Sequence, residues 1–285
     1  MSNKIRIATD STAGLTDEEI KKYHIAIVPL SVVIDGTTYV ERETISNDEF
    51  YQKMKNAKNL PKTSQPPLGK FLDTFNQLGK DGSSVISINI YSKLSGTYKT
   101  AQNAANLSST DVTVVDSKTT DRALAFQVLE ACHLASQGAD VKTIVNHVKY
   151  VQDHTELFMG VLNLKNLVKG GRLNAVAGMI TSLLNIKIVL SLKNGHFKIL
   201  SKGRGEKSIR NFFNKKIFPK MKSTPHIQKI GISYVGETKL DDEVKNKIQE
   251  IIPNSHVLMR ETVPIIATHA GIGAFALMYY NCPDK

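Results

Sequence analysis

Short apolar runs alternate with amphipathic ones through the first half of the chain. Residues 5–9 read as a strand, 16–23 as a helix opened by the capping pair Thr16 and Glu19, and 25–30 as a second strand. Residues 31–40 have the pattern of a hairpin turning at Asp35-Gly36. Ser46 with Glu49 starts a helix that runs to Asn56, and Pro67, at a first helical position, starts another that runs to Leu78. A strand over 85–90, a helix from Ser95, a strand over 112–115 and helices near 120–136 and 140–152 complete the series. This alternation predicts an α/β domain whose mostly parallel sheet is covered by helices.

Past about residue 155 the rhythm changes. Residues 157–161, 187–192, 196–201, 229–235 and 256–261 read as strands, with Asn194-Gly195 as a hairpin turn and helices near 174–184, 205–222 and 240–251. Hairpins mixed with helices predict an α+β domain with a mixed or antiparallel sheet. The expected division is therefore 1–155 and 156–285. A length of 285 residues agrees with two domains of ~150 each.

Composition narrows the class. Hydrophobic residues at 41% and charged residues at 22% describe an ordinary globular chain. No apolar run reaches the ~18 residues of a membrane span, because the nearest, 176–192, is broken by Asn185 and Lys187. The opening MSNKIRIATDST lacks the apolar segment and cleavage site of a secretory signal, so a cytoplasmic protein is expected. Cys132 and Cys282 stand in no metal-binding spacing. Cys132 falls on the apolar stripe Leu124, Val128, Cys132, Ala135, which makes it a core residue before it is a nucleophile.

The net charge of +11 is unevenly placed. Residues 1–150 carry 17 basic and 16 acidic side chains, residues 151–285 carry 20 and 10, and within 165–229 fifteen basic residues face one acid, Glu206. Such a field draws an anionic partner: nucleic acid, a membrane surface, a phosphorylated ligand or an acidic protein.

Open α/β sheets bind ligands beyond the carboxyl ends of their strands, which makes Asp10, Ser11, Thr12, Asp116, Ser117 and the stretch 91–96 the first candidates. Ser95 is expected to open a helix, so that its hydroxyl and the N–H groups of Gly96 and Thr97 converge on an anion. Thr63 and Ser64 stand just before the Pro-initiated helix and offer two more hydroxyls. Gly170-Gly171-Arg172 presents a guanidinium, the side chain best shaped for a carboxylate or phosphate. His269 is followed by Ala270, Gly271, Ile272 and Gly273, whose glycines allow close backbone approach. Asp10 and Asp116 have no third ligand at a recognisable spacing, so no metal is expected.

Seven strings occur in order: TDST at 9–12, TSQP at 63–66, LSGTY at 94–98, VVDS at 114–117, GGRL at 170–173, LLNIK at 183–187 and HAGIGAF at 269–275. Together they resemble the DegV family of fatty-acid-binding proteins, the B subunits of bacterial fatty-acid kinase. The resemblance implies one long-chain fatty acid between the two domains, with Thr63, Ser95 and His269 around its carboxylate and Arg172 near that site. It further implies a fatty-acid kinase ATP-binding subunit as partner, transient contact with an anionic membrane, no catalysis by this chain, and no cofactor beyond the bound fatty acid as ligand. Three positions depart from the usual strings: Pro67 where Ser is common, Leu173-Asn174 after the arginine, and Ile272 where Pro is common.

Two other functions stay open at this point. Ser95 with His269 as base and Asp116 as orienter would make a serine acyl-hydrolase or transferase, although LSGTY is not the GxSxG elbow of hydrolases. The basic stretch 165–229 would suit a nucleic-acid-binding protein, although no helix-turn-helix, zinc-finger or aromatic RNP pattern occurs, and nucleic acid is not the expected partner.

Overall fold

A computed structural model describes residues 4–172, 186–236 and 239–283. The helix expected near 174–184 and the departures at Leu173 and Asn174 lie outside the described residues. The chain forms two compact units, one of Met1–Ser46 with Thr63–Asp153 and one of Asn47–Lys62 with His154–Lys285. The change of rhythm near residue 155 marks one crossing between them. The excursion of Asn47–Lys62 into the second unit leaves no compositional mark.

The first unit starts with β1 (Ile5–Asp10), α1 (Asp17–Tyr23), β2 (Ala26–Val28) and the hairpin β3 (Ser31–Ile34) and β4 (Thr37–Val40). Thr16 Oγ1 accepts the Glu19 N–H while the Glu19 carboxylate accepts the Thr16 N–H, the reciprocal cap that fixes where α1 begins. Asp35 and Gly36 both take positive φ (45° and 89°), as a tight hairpin turn requires. The helix α2 (Asn47–Asn56) belongs to the second unit, and the chain returns through β5 (Lys62–Ser64). Then follow α3 (Leu68–Leu78), β6 (Ser84–Asn89), α4 (Thr97–Leu107), β7 (Val112–Asp116), α5 (Asp121–Ser136) and α6 (Val141–Asp153). Strands β2-β1-β6-β7 form a wholly parallel sheet, and β4-β3-β5 form a separate three-stranded one.

Helices cover both faces of the parallel sheet. On one, Ile7, Ile86 and Ile88 pack against Leu124, Val128 and Cys132 of α5. On the other, Ala8 and Val85 pack against Phe71 and Phe75 of α3 and Ala101 and Ala104 of α4. Alternate residues of β1 and β6 thus serve opposite cores. Cys132 is buried and its thiol is pushed up to about 12 by that burial, which keeps it protonated and inert.

The second unit holds β8 (Thr155–Val161), α7 (Lys165–Lys169), β9 (Ile186–Lys193), β10 (His196–Arg204), α8 (Glu206–Phe212), α9 (Phe218–Ser223), β11 (Ile227–Tyr234), α10 (Lys239–Ile251), β12 (Val257–Glu261), α11 (Pro264–Ala270) and β13 (Phe275–Asn281). Its sheet runs β10-β9-β8-β13-β11-β12, antiparallel except for the parallel pair β11 and β12. Phe158, Val189, Ile232 and Leu277 face α8, α9 and α10, while Val161, Ile188 and Leu190 face Leu164 and Leu167 at α7. Helices α8 and α9 are joined by a π-helical turn over Phe213–Ile217. Pro219 accounts for it: with no N–H and a ring that crowds the carbonyl four residues earlier, it cannot continue an α-helical ladder. Among the described residues no helix is long and apolar enough to cross a membrane.

Candidate functional site

The strand-end residues of the first unit are consumed within the fold. Asp10 is fully buried and accepts the N–H groups of Thr12 (3.0 Å) and Ile90 (2.7 Å), the Thr12 hydroxyl and the Asn89 amide. Burial raises its pKa against the pull of those bonds. It ties the end of β1 to the end of β6, across the place where the strand order reverses. Ser11 Oγ donates to the Glu41 carboxylate and accepts the Leu30 N–H at 2.9 Å. Asp116 accepts the N–H groups of Ser92 and Lys118, and Ser117 closes a turn with Thr119. These residues build loops; Asp116 orients backbone, not an imidazole.

The LSGTY string is different. Gly96, not Ser95, takes the cap position of α4, so the expected Ser cap is corrected by one residue. Ser95 lies in a turn closed by its N–H to the Tyr91 carbonyl at 3.2 Å. Its hydroxyl accepts the Thr97 N–H at 3.3 Å and lies 2.8 Å from the Thr97 hydroxyl. The Thr97 N–H therefore points at Ser95 and is not available to an anion, as the sequence had suggested. Thr97 is fully buried while Ser95 is partly exposed. A buried hydroxyl that donated nowhere would carry a desolvation penalty, so Thr97 donates to Ser95 and the hydrogen of Ser95 turns outward. Ser95 thus becomes a fixed donor suited to a carboxylate oxygen.

The TSQP string meets the same turn. Gln65 Nε2 donates to Thr100 Oγ1 at 2.7 Å, and Thr100 Oγ1 donates to the Gly96 carbonyl at 3.3 Å. Gly96 is required for space: a Cβ there would stand 2.0 Å from Gln65 Oε1. Thr63 and Ser64 lie on β5 directly before it, Thr63 partly and Ser64 fully exposed. Pro67 caps α3 with extended backbone (φ −66°, ψ 150°) instead of entering its first turn. Gln65 and Thr100 were not foreseen, although Gln65 sits inside a string that was.

In the second unit α7 and α11 bring Arg172 and His269 together. Gly170 ends α7, Gly171 takes φ 73°, and the Arg172 N–H returns to the Leu167 carbonyl at 3.1 Å. The Arg172 guanidinium donates to the Gly170 carbonyl at 2.8 Å. The two glycines serve separate needs. Gly171 supplies the left-handed backbone, whereas a Cβ on Gly170 would lie 2.3 Å from His269 Nδ1. Asn166 Nδ2 donates to the Thr268 carbonyl at 2.9 Å, tying α7 to α11 beside the imidazole; nothing in the sequence singled it out. Burial, aided by the Arg172 charge, lowers the His269 pKa to about 4. Burial also lowers that of Arg172. At neutral pH the pair is one cation beside a neutral imidazole, a combination that attracts a carboxylate by charge and orients it by hydrogen bonding. Ile272 is 45% exposed between Gly271 and Gly273, so the departure there displays an apolar side chain. Among the described residues no group of three or more His, Cys, Asp or Glu stands together as metal ligands do.

The basic stretch is partly answered by acids outside it. Lys193 and Lys220 share Glu156 at 2.7 and 2.9 Å, and Arg210 donates to Glu243 at 3.0 Å. Lys198 and Arg204 on β10 and Lys207 on α8 are exposed. Because β10 is an edge strand, its charges also discourage pairing with another sheet.

Comparison with known proteins places the chain. The profile described as "Uncharacterised protein, DegV family" matches residues 4–281. A DegV domain-containing protein of Streptococcus pneumoniae is 43% identical over 275 residues, covering 96% of this chain and 98% of that one. The crystal structure of DegV from Bacillus subtilis, described as a fatty acid binding protein, superposes with a TM-score of 0.88 at 28% identity, over 99% of this chain and all of that one. A protein of Eubacterium ventriosum described as binding stearic acid superposes with a TM-score of 0.84 at 25% identity, over 97% and 98% of the two chains. Sequence match and fold agree over nearly the whole length, and the chain belongs to the DegV family.

Proposed function

We propose that this protein binds one long-chain fatty acid, without chemistry of its own, and presents the carboxylate to a partner kinase that makes the acyl phosphate. The observation that carries the reading is the Ser95–Thr97 pair, a buried hydroxyl holding a partly exposed one as a fixed donor. The description of the Bacillus subtilis and Eubacterium ventriosum proteins as binders of fatty acid and of stearic acid supports the same class of ligand. In this reading Thr63, Ser64, Ser95, Arg172 and His269 serve the carboxylate, with Gly96 and Thr97 shaping the turn that carries Ser95. Burying some 14 methylenes of a tail is worth ~11 kcal/mol gross. Association costs of ~4–15 kcal/mol consume much of that, so the polar groups orient more than they grip. The kinase subunit approaches through the exposed basic residues of the second unit, which also suit brief contact with anionic lipid.

Mass spectrometry of lipid extracted from the denatured protein, purified from bacteria, tests the central claim. One fatty acid per chain is the expected result. Repeated extraction without lipid, together with failure to bind added fatty acid, sinks it.

A further inference from the structure

Gln65 is an exposed side chain held at both ends of its amide. Nε2 donates to Thr100 Oγ1 at 2.7 Å, and Oε1 rests over Gly96 where a Cβ would stand 2.0 Å away. Thr100 passes the restraint on, because both its hydroxyl (3.3 Å) and its N–H (3.0 Å) bond the Gly96 carbonyl. The residues on either side of Gly96 are the hydroxyl pair, Ser95 and Thr97. A hydrogen bond from an exposed amide adds little to stability, because water replaces it readily when it is lost. What the arrangement does supply is a fixed orientation for the 95–97 turn. We propose that Gln65 is a positioning residue which, by clamping Gly96 through Thr100, aims the Ser95 hydroxyl and so gives the site its preference for a carboxylate over other polar head groups. This rests on the fatty-acid reading above.

The preference follows from hydrogen-bond roles. A carboxylate only accepts and gains from a donor fixed in direction, whereas an alcohol both donates and accepts and can turn to suit a hydroxyl that wanders. The experiment compares oleic acid with oleyl alcohol, which share one tail, on the wild type and on Gln65→Met, with Gly96→Ala displacing Gln65 from the opposite side. We expect either variant to weaken oleic acid about three- to tenfold, to change oleyl alcohol less than about twofold, and to leave the thermal midpoint within about two degrees. A purely structural role would weaken both ligands alike or lower the midpoint, and either result overturns the proposal. So does a Gln65→Met variant that keeps the wild-type preference for the acid. A wild type that binds neither ligand overturns the fatty-acid reading itself, so the two failures are distinguishable.

Discussion

At the scale of single residues, the two hydroxyls of LSGTY divide a task that the sequence assigned to both. Ser95 is the group at the surface, and Thr97, fully buried, acts through it. Ser95→Ala should weaken fatty-acid binding by ~1–3 kcal/mol, because it removes a donor to a charged acceptor. Thr97→Val keeps the shape of the side chain but not its hydrogen bond, and should weaken binding by a smaller ~0.5–1.5 kcal/mol. Titration calorimetry alongside thermal melts separates the roles. If Thr97→Val lowers the melting temperature and leaves affinity unchanged, Thr97 only packs. The difference between the two residues was not legible in the sequence, since it rests on burial, and neighbours in a string look alike until the backbone turns one inward.

At the scale of elements, the junction of α7 and α11 sets the state of His269. Its pKa is lowered from 6.5 to about 4, first by burial and then by the Arg172 charge. Between those values the unfolded chain takes up a proton that the folded chain refuses, so stability falls as pH drops from about 6.5 to about 4 and loses this slope above that range. The contribution is at most about 3 kcal/mol. Chemical denaturation at pH 7 and pH 4.5 should show a smaller loss for His269→Gln than for the wild type, the other titrating groups being common to both. Equal losses would mean that the imidazole is charged in the folded protein. These same two helices were missed in the sequence. Helix α7 spans five residues, too few for a hydrophobic period to show, and α11 spans seven with Pro264 at its start. The central strand β13 was missed for another reason: its run FALMYYN is buried along most of its length, so it lacks the alternation that marks a half-buried strand. Where one face was wet, as in the hairpin at Asn194-Gly195 and the capped helix α1, pattern and structure agree.

At the scale of the whole molecule, the parallel sheet of the first unit and the mixed sheet of the second were legible because their connections differ: helical crossovers in one, hairpins in the other. The segment Asn47–Lys62 was not, because its transfer to the second unit depends on long-range packing, such as Tyr51 lying over Gly236. Charge shows the same limit. Counting along the sequence found fifteen basic residues against one acid in 165–229, but folding brings Glu156 to Lys193 and Lys220, and Glu243 to Arg210. Arg210 is therefore a poor choice for probing a docking surface, since reversing it would set two carboxylates against each other. The exposed Lys198, Arg204 and Lys207 are the better set. Changing all three to Glu alters the local charge by six units and leaves the ligand-binding strings intact. If these residues steer an acidic partner, its association rate should fall by about tenfold or more at low salt, and the dependence of that rate on salt should flatten, since screening acts over ~8–10 Å at physiological ionic strength. Fatty-acid affinity should stay within about twofold of the wild type, because steering acts on encounter and not on the bound ligand. Stopped-flow measurement of complex formation with the kinase subunit gives the rate directly, and an unchanged rate across the salt series would reduce these lysines and arginine to solubilising charges on an edge strand and its neighbouring helix.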